Sequence, residues 1–590
     1  MKHKQSKSVV WGKAILTLCA IILISIPTFA ASQKISKELE QKQGSDKVDV
    51  IVQFDQMPSA RHHEKILSRG GQINRDLGEF KGGAYSIPAS ALADLADDPE
   101  VVHISPDHPL RSTSQSLPPT VNDYHYFTIN GNNPASKGLY GAGIGVAVID
   151  SGIASIPDIT AKNIVYSQDF TGSGSTADQY GHGTHVTGIL AGNGSQSTGS
   201  TYSYTFLGLA DQVSLINLRV LDVNGEGTDS EVIAAIQQAI SLKSKYNIRV
   251  INLSLGRPVW ESYKVDPLCQ AVENAWKAGI VVVVAAGNYG RDNNAGTNGY
   301  GTITAPGNDP YVITVGAMNS MGSSNRTLHV IASYSSKGPT LFDGIVKPDV
   351  VAPGNLIVSV YFPGSTLNKS YPQFETPLAL YVDGPQTAAS GTYFNLSGTS
   401  MATPMVSATA ALMLEQTPSL TPDQVKARIM SSAFRGLVQS STAKDLVTGQ
   451  TFNDQADIFT VGAGYLDIQG ALQSPNLAPA TVGSALSPLA VKNSQGNISL
   501  VANGSSMLGG NSILWGTASN LWGSSILWGT GSQQGESILW GTSTSISGSS
   551  ILWGTSVTGE SILWGTGETQ VDGSNALFGS TTGDIINDLE

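Results

Sequence analysis

Three short motifs contain the residue types of nucleophilic catalysis. Asp150 ends the apolar run of VAVIDSG, His182 begins a glycine-flanked helix in GHGTHVTG, and Ser400 lies in the first turn of a long apolar helix, SGTSMATPMVSATAALML. A serine hydroxyl is a poor nucleophile at neutral pH, so it needs an imidazole that accepts its proton and a buried carboxylate that orients the imidazole. The motifs supply these three groups and predict acyl transfer.

A fourth residue fits the same chemistry. Asn288 ends the apolar run VVVVAAGN, so its side-chain amide can point towards a negative charge that develops during the reaction. The backbone N–H of Ser400, at the N-terminus of its helix, supplies a second donor. The pair predicts an oxyanion hole.

Taken together, these motifs resemble those of the subtilisin-like serine proteases, the subtilases. The resemblance covers about residues 140–475, and residues 47–110 are similar to the propeptide of that family. It implies that Asp150 stabilises charge and that His182 is the general base and acid. It also implies that Ser400 is the nucleophile and Asn288 the oxyanion donor, with no metal ion in the catalytic set.

Substrate-binding residues follow from the same resemblance. In subtilases an extended peptide lies between two backbone edges, where main-chain hydrogen bonds give affinity. The segments INLSLGR and NGEGT resemble these edges, and the primary pocket is expected to have small walls above Thr304. The expected binding residues are Ser254, Leu255 and Gly256 on one edge, Gly225 and Gly227 on the other, and Ala285, Ala286 and Gly287 as pocket walls.

Each residue alone also has an ordinary structural interpretation. Asp150 fits a turn or helix-capping aspartate, and the two edge segments fit an ordinary strand end and turn. His182 and His185 have a spacing that suits metal ligands, but no third ligand is suitably spaced, and His185 fits a structural role. The joint occurrence of four motifs in this order favours catalysis.

The elements around the motifs indicate an α/β fold. Apolar runs such as GVAVID and VSLINLRVL alternate with helical patterns such as SEVIAAIQQAISLKSKY. Continuous apolar strands are typical of a mostly parallel sheet with helices on both faces, here subtilisin-like. Residues 47–110 predict a small α+β module of the split-βαβ type before it, and a repetitive β-type or disordered tail follows it.

The chain divides into four predicted segments. Residues 1–30 combine four lysines, an apolar run and small residues before Ala30, which is typical of a secretory signal peptide. Residues 31–115 form the propeptide, with a folded core at about 47–110 and a maturation site within about 108–118. Residues 116–475 form the peptidase domain, and residues 476–590 form a linker and repeat tail.

The tail repeats the hexapeptide SILWGT. The repeats begin at Ser512, Ser525, Ser537, Ser550 and Ser561, a period that suits a strand and a turn stacked on its neighbours. Self-associating β structure, ligand binding, secretion and anchoring are all open roles for such a tail. With one basic residue after position 480, its binding is expected to be aromatic rather than electrostatic.

Composition and charge exclude several functions. The 33 basic and 45 acidic residues give a net charge of −12, which excludes a basic nucleic-acid-binding protein. Calcium is an open cofactor and no other cofactor is indicated, because the segment after the His182 helix offers no carboxylate where related enzymes hold a strong site. Asp158 alone occupies a ligand-like position. The insertion between Pro353 and Ser400 has no deducible role.

The sequence therefore predicts a secreted, extracellular or cell-surface serine endopeptidase that is made as a zymogen and matures by its own cleavage. Its expected partners are protein or peptide substrates and its own propeptide, which acts as intramolecular chaperone and inhibitor. The alternative is a surface-attachment or carbohydrate-binding protein in which the Trp-rich tail is the main functional element and contacts a cell surface or polysaccharide.

Overall fold

The computed structural model describes residues 34–112, 125–385 and 389–492, except 41, 43, 133, 135–136, 446–447 and 476–477, and after 492 it describes short strands only. The predicted signal peptide and residues 113–118 of the predicted maturation region lie outside this part of the chain. The chain divides into two compact units, residues 1–107 and 108–590. No helix within the described ranges is long and apolar enough to cross a membrane.

The first unit is a four-stranded antiparallel sheet with short helices. Its elements are α1 Lys37–Glu40, β1 Lys47–Phe54, α2 Ala60–Leu67, β2 Gln72–Leu77, β3 Gly82–Pro88, α3 Leu92–Ala96 and β4 Val101–Pro106. The strand order is β2-β3-β1-β4, the split-βαβ arrangement predicted from the sequence. Alternate residues of β1, Val50 and Val52, are buried against Tyr85 and Ile104, so the module has its own apolar core.

The central sheet of the second unit has eight strands. They are β6 Gly145–Asp150, β7 Ile164–Asp169, β8 Ser214–Arg219, β10 Ile248–Leu253, β12 Val281–Ala285, β13 Ile313–Asn319, β14 Val330–Ile331 and β15 Val350–Pro353. Their order is β14-β13-β12-β10-β6-β8-β7, with β15 also on β13, and all pairs are parallel except β13 with β14. This confirms the predicted mostly parallel α/β sheet.

Strand β6 lies where the strand order reverses. From β6 the chain goes first to the edge strand β7, returns to β8 beside β6, and then continues with β10 on the other side of β6. Ligand sites in open α/β sheets form beyond the carboxyl ends of the strands at such a switch point. Asp150, the last residue of β6, stands at this position.

Helices pack on this sheet. They are α4 His125–Thr128, α5 His182–Ala191, α6 Asp229–Tyr246, α7 Pro267–Lys277, α8 Thr366–Ser370, α9 Thr399–Gln416, α10 Pro422–Ser432 and α11 Ile468–Gln473. Helix α9 is buried from Thr399 to Leu414, as its all-round apolar composition requires, and it packs on α5 and on β10, β12 and β13. Helix α6 begins at a reciprocal capping box between Thr228 and Glu231.

Smaller sheets complete the second unit. Their strands are β5 Pro109–Ser112, β9 Glu226–Thr228, β11 Leu255–Gly256, β16 Ile357–Val360, β17 Glu375–Pro377, β18 Ala389–Leu396, β19 Ser440–Lys444, β20 Thr451–Gln455, β21 Leu489–Lys492 and β22 Ile498–Val501. The insertion before Ser400 forms the sheet β16-β18-β17.

The segment after α11 is bonded to the rest of this unit. The backbone N–H of Ala485 donates to Asp423, and the hydroxyl of Ser487 donates to the buried carboxylate of Asp349. Backbone hydrogen bonds continue as far as Ala490. A cut that removes only the repeat tail therefore lies after Val501, the end of β22.

The described part of the tail consists of short strands, all but the last of which form two parallel sheets. They are β23 Ile513–Trp515, β24 Ala518–Trp522, β25 Ser525–Trp528, β26 Gly531–Gln534, β27 Ser537–Trp540, β28 Ser543–Ser547, β29 Ser550–Trp553, β30 Ser561–Trp564, β31 Leu577–Phe578 and β32 Asn587–Leu589. Successive SILW strands pair in identical register, as in Ser537 with Ser550. Each repeat therefore stacks on the next, and β32 pairs with β19.

Candidate active site

Asp150 and His182 form a hydrogen-bonded pair that is fully buried. Imidazole Nδ1 of His182 lies 2.8 Å from Oδ1 of Asp150, and the backbone N–H of Ser151 donates to the same oxygen over 2.7 Å. A carboxylate only accepts hydrogen bonds, so Nδ1 carries the ring proton. The lone pair of a neutral His182 is then on Nε2, the atom of a general base.

A buried network holds helix α5 against the end of β6. The carboxylate of Asp178 accepts hydrogen bonds from the hydroxyl of Ser151 at 2.8 Å and from the backbone N–H groups of Gly181 at 2.6 Å and Thr184 at 2.7 Å. Burial raises the pKa of Asp178, and these donors oppose the rise. Asp178 thus ties the residue after Asp150 to the first turn of the His182 helix.

Close packing at this junction requires glycine at position 183. A Cβ there would lie 2.2 Å from the carbonyl oxygen of Gly152 and 3.2 Å from the side chain of Asp150. Any larger residue would push α5 away from β6 and lengthen the Asp150–His182 hydrogen bond. The glycine after His182 in the motif is therefore part of the site.

Ser400 reaches the site from helix α9. Its hydroxyl donates to the carbonyl oxygen of Ser254 over 2.9 Å, while Nε2 of His182 has no hydrogen-bond partner in the described part of the chain. Helices α5 and α9 pack on one another, and both side chains are fully buried. The structure thus joins Asp150 to His182 directly, and the Ser400 hydroxyl would have to rotate away from Ser254 to donate to His182.

The amide of Asn288 is oriented by helix α9. Its Oδ1 accepts from the backbone N–H and from the hydroxyl of Thr399, both at 3.0 Å. Since the backbone N–H can only donate, the oxygen must face Thr399 and the nitrogen must face away. Nδ2 is buried and has no partner within the described ranges. An oriented, unsatisfied donor beside the residue before Ser400 suits a negatively charged oxygen.

The two predicted backbone edges enclose a segment of the chain itself. Strand β5 lies antiparallel between β11 and β9, with Arg111 opposite Gly256 on one side and Leu110 opposite Gly227 on the other. The N–H of Ser112 donates to the carbonyl oxygen of Gly225 over 3.1 Å. Residues 109–112 therefore occupy the position of an extended peptide. Ser254 lies just beyond this ladder, beside Ser400.

The predicted pocket residues also lie together. The N–H of Thr304 donates to the carbonyl oxygen of Ala286, which follows Ala285 at the end of β12, and the N–H of Gly287 donates to the hydroxyl of Thr399. Gly287 has a φ of 101°, and a Cβ there would lie 2.5 Å from Thr304. Small residues are therefore required next to Thr304.

His185 and Tyr180 contribute in different ways. Burial lowers the pKa of His185 to about 3, and its Nε2 donates to the carbonyl oxygen of Phe394 on β18, so it is a neutral structural histidine. Tyr180, which the sequence analysis missed, lies with its ring centroid 6.4 Å from that of His182 and shares a side-chain hydrogen bond with Ser112. Asp178 was also missed, because it lies three residues before the N-cap Gly181, outside the position at which a capping aspartate is expected.

The carboxylate of Asp158 is satisfied by protein donors. Oδ1 accepts from the hydroxyl of Ser195 and the backbone N–H of Gln196, both at 2.8 Å, and Oδ2 accepts from the hydroxyl of Tyr393 at 2.7 Å. Tyr393 belongs to β18, so the insertion supplies one of these donors. Within the described ranges no group of three His, Cys, Asp or Glu side chains could hold a metal ion.

Comparison with known proteins identifies similar enzymes. The profile of the subtilase family matches residues 141–497. Serine protease AprX of Bacillus subtilis is 38% identical over 299 residues, which are 49% of this chain and 60% of AprX. Subtilisin E of the same organism is 33% identical over 430 residues, 72% of this chain and 93% of subtilisin E. Fervidolysin from Fervidobacterium pennivorans, titled a keratinolytic enzyme related to subtilisin, shares the fold with a TM-score of 0.55 at 20% identity, over 75% of this chain and 63% of fervidolysin.

Replacing Tyr393 with phenylalanine should destabilise the second unit. The Tyr393→Phe variant leaves buried Oδ2 of Asp158 without its donor, so we expect the free energy of unfolding to fall by about 1–3 kcal/mol. Urea unfolding of a Ser400→Ala background, which prevents self-digestion, measures it. Tyr371→Phe, at a 40% exposed tyrosine, is the control. Equal stability of the two variants would contradict the role of Tyr393.

Proposed function

This chain belongs to the subtilase family of serine endopeptidases, and we propose that it is a secreted endopeptidase that cleaves peptide bonds with Asp150, His182 and Ser400. The observation that carries the proposal is a pair of buried atoms without partners in the described ranges, Nε2 of His182 and Nδ2 of Asn288. Nε2 of His182 can accept a proton, and Nδ2 of Asn288 can donate a hydrogen bond. Acyl transfer needs one of each beside a serine.

In the proposed reaction both atoms act in each of the two half-reactions, the formation and the hydrolysis of the acyl-enzyme. Oγ of Ser400 attacks the substrate carbonyl carbon as its proton passes to Nε2 of His182, and Asp150 stabilises the imidazolium that forms. The carbonyl oxygen becomes negatively charged and accepts from Nδ2 of Asn288 and the N–H of Ser400. The proton then passes to the leaving amine, and water hydrolyses the acyl-enzyme by the same steps.

Strand β5 supports a self-processing zymogen. Residues 109–112 belong to the end of the predicted propeptide and lie between both predicted substrate edges, so the precursor blocks its own cleft. The register pairs Ser112 with Leu255, and the residue before Leu255 is Ser254, whose carbonyl accepts the Ser400 hydroxyl. On this register we propose that maturation cleaves the bond between residues 113 and 114.

Loss of the nucleophile should leave the precursor uncut. We expect a Ser400→Ala precursor, purified without other proteases, to keep its full mass, because the cut needs the Ser400 hydroxyl. The parent chain should yield a mature form that begins at Ser114, as read by N-terminal sequencing and intact mass. The exposed Ser203→Ala variant should mature like the parent. Mature protein from pure Ser400→Ala would exclude self-processing, and a different N-terminus would exclude the proposed bond.

The role of Asn288 is tested by its effect on catalysis. Asn288→Ala should lower kcat by roughly 10²–10³ with little change in KM, because the contact with the oxyanion exists mainly in the transition state. Steady-state hydrolysis of a chromogenic peptide measures both constants. The exposed Asn294→Ala variant is the matched control. A change confined to KM would remove Asn288 from the oxyanion hole.

The repeat tail is proposed to be dispensable for hydrolysis. Removal of residues 502–590 spares every residue placed in the site, so kcat/KM on a small peptide should stay within about twofold of the full chain. Retention on cells or polysaccharide, measured in parallel at low and high salt, tests whether the tail is a surface contact of aromatic character. Loss of hydrolysis in a folded truncated enzyme would show that the tail serves catalysis.

A further inference from the structure

Trp260 stacks on a residue that precedes the strand in the cleft. The ring of His108 lies on the indole with the centroids 5.8 Å apart and the planes inclined by 19°. His108 is buried, whereas Trp260, four residues beyond the β11 edge, is still 43% exposed. The indole is thus a flat apolar surface at the end of the cleft, covered in part by the ring of His108.

The backbone of His108 continues the ladder that holds β5. Its carbonyl oxygen accepts from the N–H of Asp229 over 2.9 Å, one step beyond the pairing of Pro109 with Thr228. A peptide bound between the two edges therefore keeps its register as far as this position. The side chain of the peptide at this position is directed by the same main-chain hydrogen bonds that align the bond to be cut.

A buried ion triad joins the two edges at this end. Arg257 follows β11 and donates to both carboxylate oxygens of Asp229, which follows β9, and to those of Asp266, at 2.9–3.0 Å. All three side chains are buried, and their charges neutralise one another in part. Because the triad links the ends of both edges directly, the spacing of the cleft beside Trp260 is set before any peptide binds.

The surroundings select the kind of side chain that fits. Burial, reinforced by the charge of Arg257, lowers the pKa of His108 to about 4, so its ring is neutral at neutral pH. Stacking on an indole suits a flat ring, and burial disfavours a charged one. A neutral imidazole or an aromatic ring fits both conditions, whereas a lysine side chain does not.

We propose that Trp260 forms a binding subsite for a neutral aromatic or imidazole side chain at the sixth residue before the cleaved bond, the position of His108. The subsite rests on the proposed function, since it is counted from the bond between residues 113 and 114. It adds one side-chain contact, at the position of His108, to the main-chain hydrogen bonds that β9 and β11 make with the bound peptide. Substrates with a ring at this position are bound more tightly than substrates that end earlier.

Three quenched fluorescent peptides test the subsite with the mature enzyme. One carries residues 108–113 before the cleaved bond, the second has alanine in place of His108, and the third begins at Leu110. We expect the first to exceed the second about three- to tenfold in kcat/KM, mainly through KM. Phenylalanine in place of histidine in the peptide should give at least the same gain.

The variants separate the subsite from the catalytic machinery. Trp260→Ala should abolish the preference for a ring and leave hydrolysis of the short peptide unchanged, while Trp260→Phe should keep part of the preference. Phe127→Ala, at another exposed aromatic residue, should behave like the parent enzyme.

Two results would overturn the subsite. One is equal hydrolysis of the histidine and alanine peptides by the parent enzyme, and the other is a preference for the ring that survives in Trp260→Ala. Absence of hydrolysis of all three peptides by the mature enzyme would instead overturn the proposed function.

Discussion

The hydrogen bond between Asp150 and His182 is the interaction on which the arrangement of the site depends. Both groups are fully buried, so a displacement of either would leave Nδ1 of the buried imidazole without its partner. The bond forms only if helix α5 packs closely on the end of β6, which glycine at position 183 permits. Asp178 and Ser151 then hold the helix in place. The pair lies beyond the carboxyl end of β6, at the switch point of the sheet, where sites in open α/β sheets form.

A second constraint is that the walls of the proposed substrate cleft are formed by backbone groups. The β9 and β11 edges offer N–H and C=O groups to any extended chain, so β5 can occupy the cleft without a special sequence. On the proposed function, the same edges hold a segment of the precursor first and a substrate later. Side chains add selectivity at a few places, and the buried pair of Arg257 and Asp229 keeps the edges at the spacing that one strand needs.

The sequence was sufficient for the fold class, because continuous apolar strands and long helical patterns are local signals. It also indicated the four motifs that are proposed to be catalytic. Asp150 ends β6, Asn288 follows β12, and His182 and Ser400 lie in the first turns of α5 and α9. It did not indicate Tyr393 or Trp260. Tyr393 meets Asp158 across 235 positions of the chain, and Trp260 meets a residue far upstream, so neither contact leaves a periodic or spaced pattern. Asp178 was missed for a different reason, since it bonds the N–H groups of Gly181 and Thr184 from three residues before the N-cap.

Some buried carboxylates pair with a cation, as Asp229 and Asp266 do with Arg257, whereas others are stabilised by neutral donors. Charged residues make up 13% of the sequence, and hydroxyl side chains with backbone N–H groups take the place of cations at several buried aspartates. Asp178 and Asp158 each accept hydrogen bonds from backbone N–H and hydroxyl groups. Neutral donors supply directional hydrogen bonds without the desolvation cost of a second buried charge. The loop after α5 and the insertion before Ser400 meet at Asp158 for this reason, and together they brace the far end of the helix that carries His182.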